Sequence, residues 1–175
     1  IFSVGRLVEK KGMEFLIRAC HALVTKGIKN FKCTIIGDGP LLARLSTLCD
    51  ELELHDHVDL AGTKPHYEIM HLLAATYIFV LACIKTREYD MDGIPVSLME
   101  AMALSVPVIS TPISGIAELI HDGGYLCKSE DVQDLADKIE YLYNMKPKER
   151  RLLGDKGKNI ILTEFNRNKE VAKLS

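Results

Sequence analysis

The 175-residue chain has no apolar run near the length of a membrane span. Such a span needs about 20 consecutive apolar residues, so no transmembrane helix is expected. No charge of one sign dominates: 22 Lys and Arg against 24 Asp and Glu leave −2. That balance excludes a global electrostatic pull toward nucleic acid. No two of the five cysteines, Cys20, Cys33, Cys49, Cys83 and Cys127, have C-x-x-C spacing. Their number is odd and each sits in an apolar segment. They read as reduced core residues of a cytosolic protein, not as a disulfide or zinc framework. Internal repeats, low-complexity tracts and linkers are absent, so one domain with a substantial core is expected. The chain opens on Ile1-Phe2-Ser3-Val4 without Met, basic segment or cleavage site. The expectation is that a larger protein continues upstream.

What is present is alternation. Phe2–Val4 reads as a short strand, and Met13, Leu16, Ile17, Cys20, Leu23 and Val24 then recur at helical spacing. Strands are predicted at Phe31–Ile36, Val58–Ala61, Tyr77–Ile84, Pro107–Ser110 and Tyr125–Cys127. Helices are predicted after Pro40, at Tyr67–Ala75, from Pro95 to about Leu104, near Ile116–Ile120 and over Val132–Leu142. The tail from Pro147 to Ser175 reads as one or two polar helices. Alternating β and α units predict an α/β, doubly wound, Rossmann-like parallel sheet covered on both faces. Ligands of such sheets bind at the carboxyl ends of the strands. The loops to inspect are therefore Gly5–Gly12, Gly37–Pro40, Gly62–His66, Lys85–Pro95 and Thr111–Gly115.

Between Gly93 and Ala117 the one charged residue is Glu100. Its helix is apolar on every side, which predicts burial. A buried carboxylate needs strong hydrogen-bond donors. These could be backbone amides, a distant Arg, or the hydroxyls of a ligand such as the cis-diol of a ribose. Gly93-Ile94-Pro95-Val96 starts that helix at the binding edge. Its free amides and positive dipole end suit an anion, and Gly93 allows close approach. Gly5-Arg6 and Lys10-Lys11-Gly12 flank the first loop. Two cations there suit a diphosphate and the negative charge of a departing group. Gly37-Asp38-Gly39-Pro40 is a strand-to-helix turn, but Leu42 replaces the third glycine of G-x-G-x-x-G. Asp59 is poorly placed to hold a ribose, so a nicotinamide enzyme is not expected. Asp90-Met91-Asp92 could hold a divalent metal. His55-Asp56-His57 reads as a polar loop before a strand.

Five ordered motifs carry a resemblance that covers nearly the whole chain. They are Val4-Gly5-Arg6-Leu7 with Lys11-Gly12, then Ile36-Gly37-Asp38-Gly39-Pro40, then residues 93–103, then Pro107-Val108-Ile109-Ser110-Thr111, and last Gly115-Ile116-Ala117-Glu118-Leu119-Ile120. Together they resemble the C-terminal, donor-binding domain of the retaining family 4 glycosyltransferases of GT-B fold. The resemblance implies a UDP-, GDP- or ADP-linked sugar donor held at Gly5, Gly37, Gly39, Gly93, Ile94, Pro95, Val96 and Glu100. Arg6 and Lys11 would contact the diphosphate. The second acid of the family's E-x7-E motif matches Glu100, at the ribose. The first matches Asp92, near the sugar hydroxyls, in place of a glutamate. Arg6, Lys11 and Asp92 would then be the catalytic set, with no metal and no cofactor.

Two further departures are Ser105, where the family has a helix-ending glycine, and a short turn at His121–Tyr125. The resemblance also implies a missing N-terminal domain that binds a sugar or lipid-linked acceptor, so the isolated chain is expected to be inactive. The expected function is retaining glycosyl transfer in polysaccharide, lipopolysaccharide or glycolipid synthesis. The alternatives are a non-catalytic nucleotide-sugar-binding module and a GT-B epimerase acting on UDP-N-acetylglucosamine. A response-regulator domain would need an acidic cluster that is not found. The expected location is cytoplasmic. Lys146, Lys148, Arg150, Arg151, Lys156 and Lys158 form a basic patch that reads as a solvated face, with peripheral contact to anionic lipid as the alternative.

Overall fold

Six short parallel strands form one sheet in a computed structural model that describes residues 1–86, 88, 90–91 and 93–164. The strands are β1 (Phe2–Val4), β2 (Cys33–Ile36), β3 (Val58–Leu60), β4 (Phe79–Leu81), β5 (Val108–Ser110) and β6 (Gly124–Leu126). The helices are α1 (Met13–Thr25), α2 (Leu42–Glu51), α3 (His66–Ala74), α4 (Val96–Ala103), α5 (Ile116–Ile120), α6 (Val132–Asn144) and α7 (Pro147–Glu164), with a 3-10 turn at Glu9–Lys11. The strand order is β3-β2-β1-β4-β5-β6, all neighbours parallel. The order reverses between β1 and β4, and the crevice at such a reversal is where doubly wound sheets bind ligands.

The strands are apolar because both faces are covered. Phe79, Val80 and Leu81 of β4 are fully buried, as are Val108 and Ile109 of β5. Helix α1 packs on α6, and its apolar stripe, Met13, Leu16, Ile17, Cys20 and Leu23, is buried against the sheet. All five cysteines are buried, and none forms a disulfide among the described residues.

The predicted strand Tyr77–Ile84 is longer than the observed β4. Ala82, Cys83 and Ile84 are buried but do not join the ladder. The Ile84 amide donates instead to the Lys10 carbonyl at 3.0 Å, which stitches the loop after β4 to the loop after β1. Helix α2 begins at Leu42, two residues beyond Pro40. The tail forms one helix as far as Glu164.

Helix α4 ends in a tight reversal. The Ser105 amide donates to the Met102 carbonyl at 2.9 Å, and the Val106 amide donates to that of Ala101 at 3.0 Å. Ser105 takes φ 59°, the left-handed conformation that usually selects glycine. Among the described residues, no helix is long and apolar enough to cross a membrane.

Candidate functional site

The reversal point brings four separate segments to one edge. Gly5 directly follows β1, and Arg6 follows it with an exposed side chain that has no partner among the described residues. The stem of Lys11 lies over Gly5: a Cβ at Gly5 would sit 3.4 Å from Lys11 Cδ. Lys11 is thereby aimed back at the end of β1. Gly12 makes the return possible. It has φ 64°, and a side chain there would overlap the Ala82 carbonyl at the end of β4.

The third segment is the start of α4. The Ser97 hydroxyl donates to the Val4 carbonyl at 3.2 Å, which anchors the helix over β1. Among the described residues no side chain caps α4, and Pro95 takes extended geometry at its N-cap. The first-turn amides of Val96 and Ser97 therefore open on the same edge as Arg6 and Lys11. The space beside Gly93 is open, and Ile94 rests against Gly115.

Glu100 does not lie in a fully apolar surround. Its side chain is 24% exposed, and Val96, one turn earlier, is 67% exposed. Burial is confined to Leu98, Ala101 and Met102. The expectation of an all-round buried helix fails because α4 has only one face on the core. Its first turn is left exposed at Val96 among the described residues. Oε1 of Glu100 lies 2.8 Å from Nε2 of His66, the first residue of α3. An ionised carboxylate only accepts hydrogen bonds, so Nε2 carries the proton that bridges them. Motif reading does not single out His66. Its one signal is its place at the end of a βα loop, beside a proline that starts a helix.

Gly37 and Gly39 sit one strand away. A side chain on Gly37 would overlap the Gly5 carbonyl, and one on Gly39 would press on the backbone of Leu7. The Leu7 amide also donates to the Asp38 carbonyl at 2.8 Å. These glycines let the loop after β2 pack directly under the loop that bears Arg6.

Asp90 accepts a hydrogen bond from Lys10 Nζ at 3.1 Å. Asp92 lies outside the described residues. His55 pairs with Asp50 at 3.4 Å, and His57 stacks on Phe31 with ring centroids 5.0 Å apart. In the basic patch, Lys156 pairs with Asp122 at 3.0 Å, Arg151 approaches Asp155 at 4.0 Å, and the Arg150 guanidinium lies 3.3 Å above the Tyr77 ring.

The sequence profile of glycosyl transferases group 1 matches residues 1–160. The chain belongs to that family. Among curated relatives of this chain is WcaL of Escherichia coli (strain K12), ascribed to colanic acid biosynthesis as a glycosyltransferase. It is 37% identical over 179 residues, 99% of this chain and 44% of that protein. The amylovoran biosynthesis glycosyltransferase AmsK of Erwinia amylovora is 46% identical over 138 residues, 78% of this chain and 34% of that protein. The chain thus spans less than half the length of these relatives. The crystal structure of a point mutant of S. aureus TarM, in complex with fondaparinux, alpha-GlcNAc-glycerol and UDP, shares the fold. Its TM-score is 0.86 at 22% identity, over 99% of this chain and 34% of that one.

Proposed function

We propose that this chain is the donor-binding domain of an enzyme that transfers a glycosyl group from a nucleotide sugar with retention of configuration, in the synthesis of a polysaccharide, lipopolysaccharide or glycolipid. The observation that carries the reading is the meeting of Arg6, Lys11, the uncapped start of α4 and Glu100 at one sheet edge. Family membership and relatives named for colanic acid and amylovoran biosynthesis support it.

The chemistry follows from charge. When the glycosidic bond to the nucleoside diphosphate breaks, negative charge grows on the leaving phosphate. Arg6 and Lys11 offset that charge, and the α4 amides add partial positive charge on the same side. Glu100 accepts from the ribose hydroxyls and fixes the nucleotide relative to the cations. Asp92 is assigned to the sugar hydroxyls through its match to the first acid of the E-x7-E pair. Among the described residues no side chain is set up as a covalent nucleophile beside a base. With two side-chain cations at the phosphate, this reading assigns no metal and no cofactor.

The relatives are more than twice as long as this chain, which supports placing the acceptor on a further domain. Five buried cysteines with no disulfide among the described residues support a cytoplasmic setting. The outward face of α7, with Lys148, Arg151, Lys158 and the exposed Leu152, is the surface assigned to any peripheral membrane contact.

Calorimetry on the chain with UDP, GDP and ADP tests the reading. One of the three binds, and Glu100→Ala weakens it about 10- to 100-fold, the loss expected when charged hydrogen bonds disappear. EDTA leaves the affinity unchanged. Equal affinity for wild type and variant overturns the ribose assignment, and a large EDTA effect returns Asp90 and Asp92 to consideration as metal ligands.

A further inference from the structure

We propose that His66 is a positioning residue that presets the Glu100 carboxylate for the ribose of the donor. The proposal rests on the ribose reading of Glu100 given above. Nε2 of His66 reaches Oε1 of Glu100 at 2.8 Å, across 34 residues of sequence. Glu100 has no other side-chain partner among the described residues. The ring therefore sets which way the carboxylate turns while the site is empty.

The two side chains differ in a way that suits this division. Glu100 is 24% exposed and has three rotatable bonds, so its carboxylate costs entropy to fix when a ligand arrives. His66 is 70% exposed, has only two such bonds, and is the first residue of α3 behind Pro65, whose φ is −57°. A stiffer side chain at the mouth of the site thus holds a more flexible one lying deeper. An ionised carboxylate offers about four acceptor positions over its two oxygens. The ring occupies one of them on Oε1. Oε2 and the remaining position on Oε1 are left for two hydroxyls of a cis-diol. A histidine at this exposure is not a core residue, and its contact is with the one acid that the motif pattern assigns to the nucleotide.

Nucleotide discrimination separates positioning from simple support of the fold. The probes are UDP, GDP and ADP, each beside its 2′-deoxy counterpart, titrated against wild type, His66→Ala, His66→Gln and Glu100→Ala. Thermal unfolding checks that each variant is folded. His66→Ala is expected to weaken the tightest ribonucleotide about three- to tenfold, the range for the loss of one hydrogen bond. The 2′-deoxy form is expected to weaken less, so that the ratio between the two narrows. His66→Gln is expected to restore most of the ratio, because the Nε2 of glutamine stands the same number of bonds from Cα. Unchanged ribonucleotide affinity in His66→Ala, or an equal loss for both sugars, overturns the proposal. If Glu100→Ala binds as wild type does, the ribose reading itself fails. If Glu100→Ala loses affinity while His66→Ala does not, only the role of His66 fails.

Discussion

Ser105→Gly is expected to stabilise this domain, although it removes a side chain and adds freedom to the unfolded chain. Ser105 sits at φ 59°, one residue past the end-cap of α4. Its amide and that of Val106 close the helix on Met102 and Ala101, so the local geometry is fixed by two hydrogen bonds that do not involve the serine side chain. A residue with a Cβ pays roughly 1–2 kcal/mol to occupy this region. Glycine removes that strain but loses about 0.4–1 kcal/mol through its freer unfolded state. The net gain is roughly 0.5–1 kcal/mol, or about 1–4 °C in melting temperature for a domain of this size. The turn has little room to relax otherwise, because a side chain on Gly154 of α7 would already overlap the Ser105 carbonyl. Calorimetric melting of wild type, Ser105→Gly and Ser105→Ala decides the matter. Alanine keeps the Cβ and is expected to gain nothing. A glycine variant that melts at or below wild type, or an alanine variant that gains as much, refutes the strain argument.

The cysteines should be silent in the folded protein. Burial pushes the Cys49 thiol up to about 11 and that of Cys127 up to about 12, while the contact with Cys33 holds Cys20 well above the usual thiol range. A thiol reagent at pH 8 is expected to label none of the five until denaturant is added, and rapid labelling of any one in the native state would contradict the packing. Lys26 bridges Asp137 at 2.6 Å and Glu140 at 2.9 Å, and it holds the Asp137 carboxyl below its ordinary range. A depressed carboxyl adds stability above its unfolded pKa and loses it as pH falls through the folded value. Lys26→Met should therefore lower the urea midpoint at pH 7 and leave a much smaller deficit at pH 3. Equal deficits at the two pH values would show that the ion pair is not the cause.

Fold and site are unequally legible. Glycine or proline stands at many of the element boundaries, so β1 and α5 match their expected bounds and most other elements lie within two residues of theirs. The far end of β4 is misread because Ala82–Ile84 look the same whether burial comes from a ladder or from a loop laid across them. Glu100 stands out as a site residue by its isolation among apolar neighbours, yet that same composition overstates its burial. Periodicity reports which faces are apolar, not whether a neighbouring layer reaches them. Gly37 and Gly39 are legible as a turn, while their packing beneath the Arg6 loop depends on two strands lying side by side. The pairing of His66 with Glu100 joins two helices and follows no spacing rule, so it becomes visible only with the fold.

The reversal of strand order between β1 and β4 sets how the site comes into being. Arg6 and Lys11 lie within the first twelve residues, whereas Ser97 and Glu100 lie some ninety further on, and the bond from Ser97 to Val4 spans 93 positions. Neither half of the chain holds both the cations and the carboxylate, and no local segment can rehearse their geometry. The site exists only once β4 has been laid beside β1. Its integrity is therefore a report on the whole topology, and a cut at any loop between them would leave two fragments, each carrying half of an address.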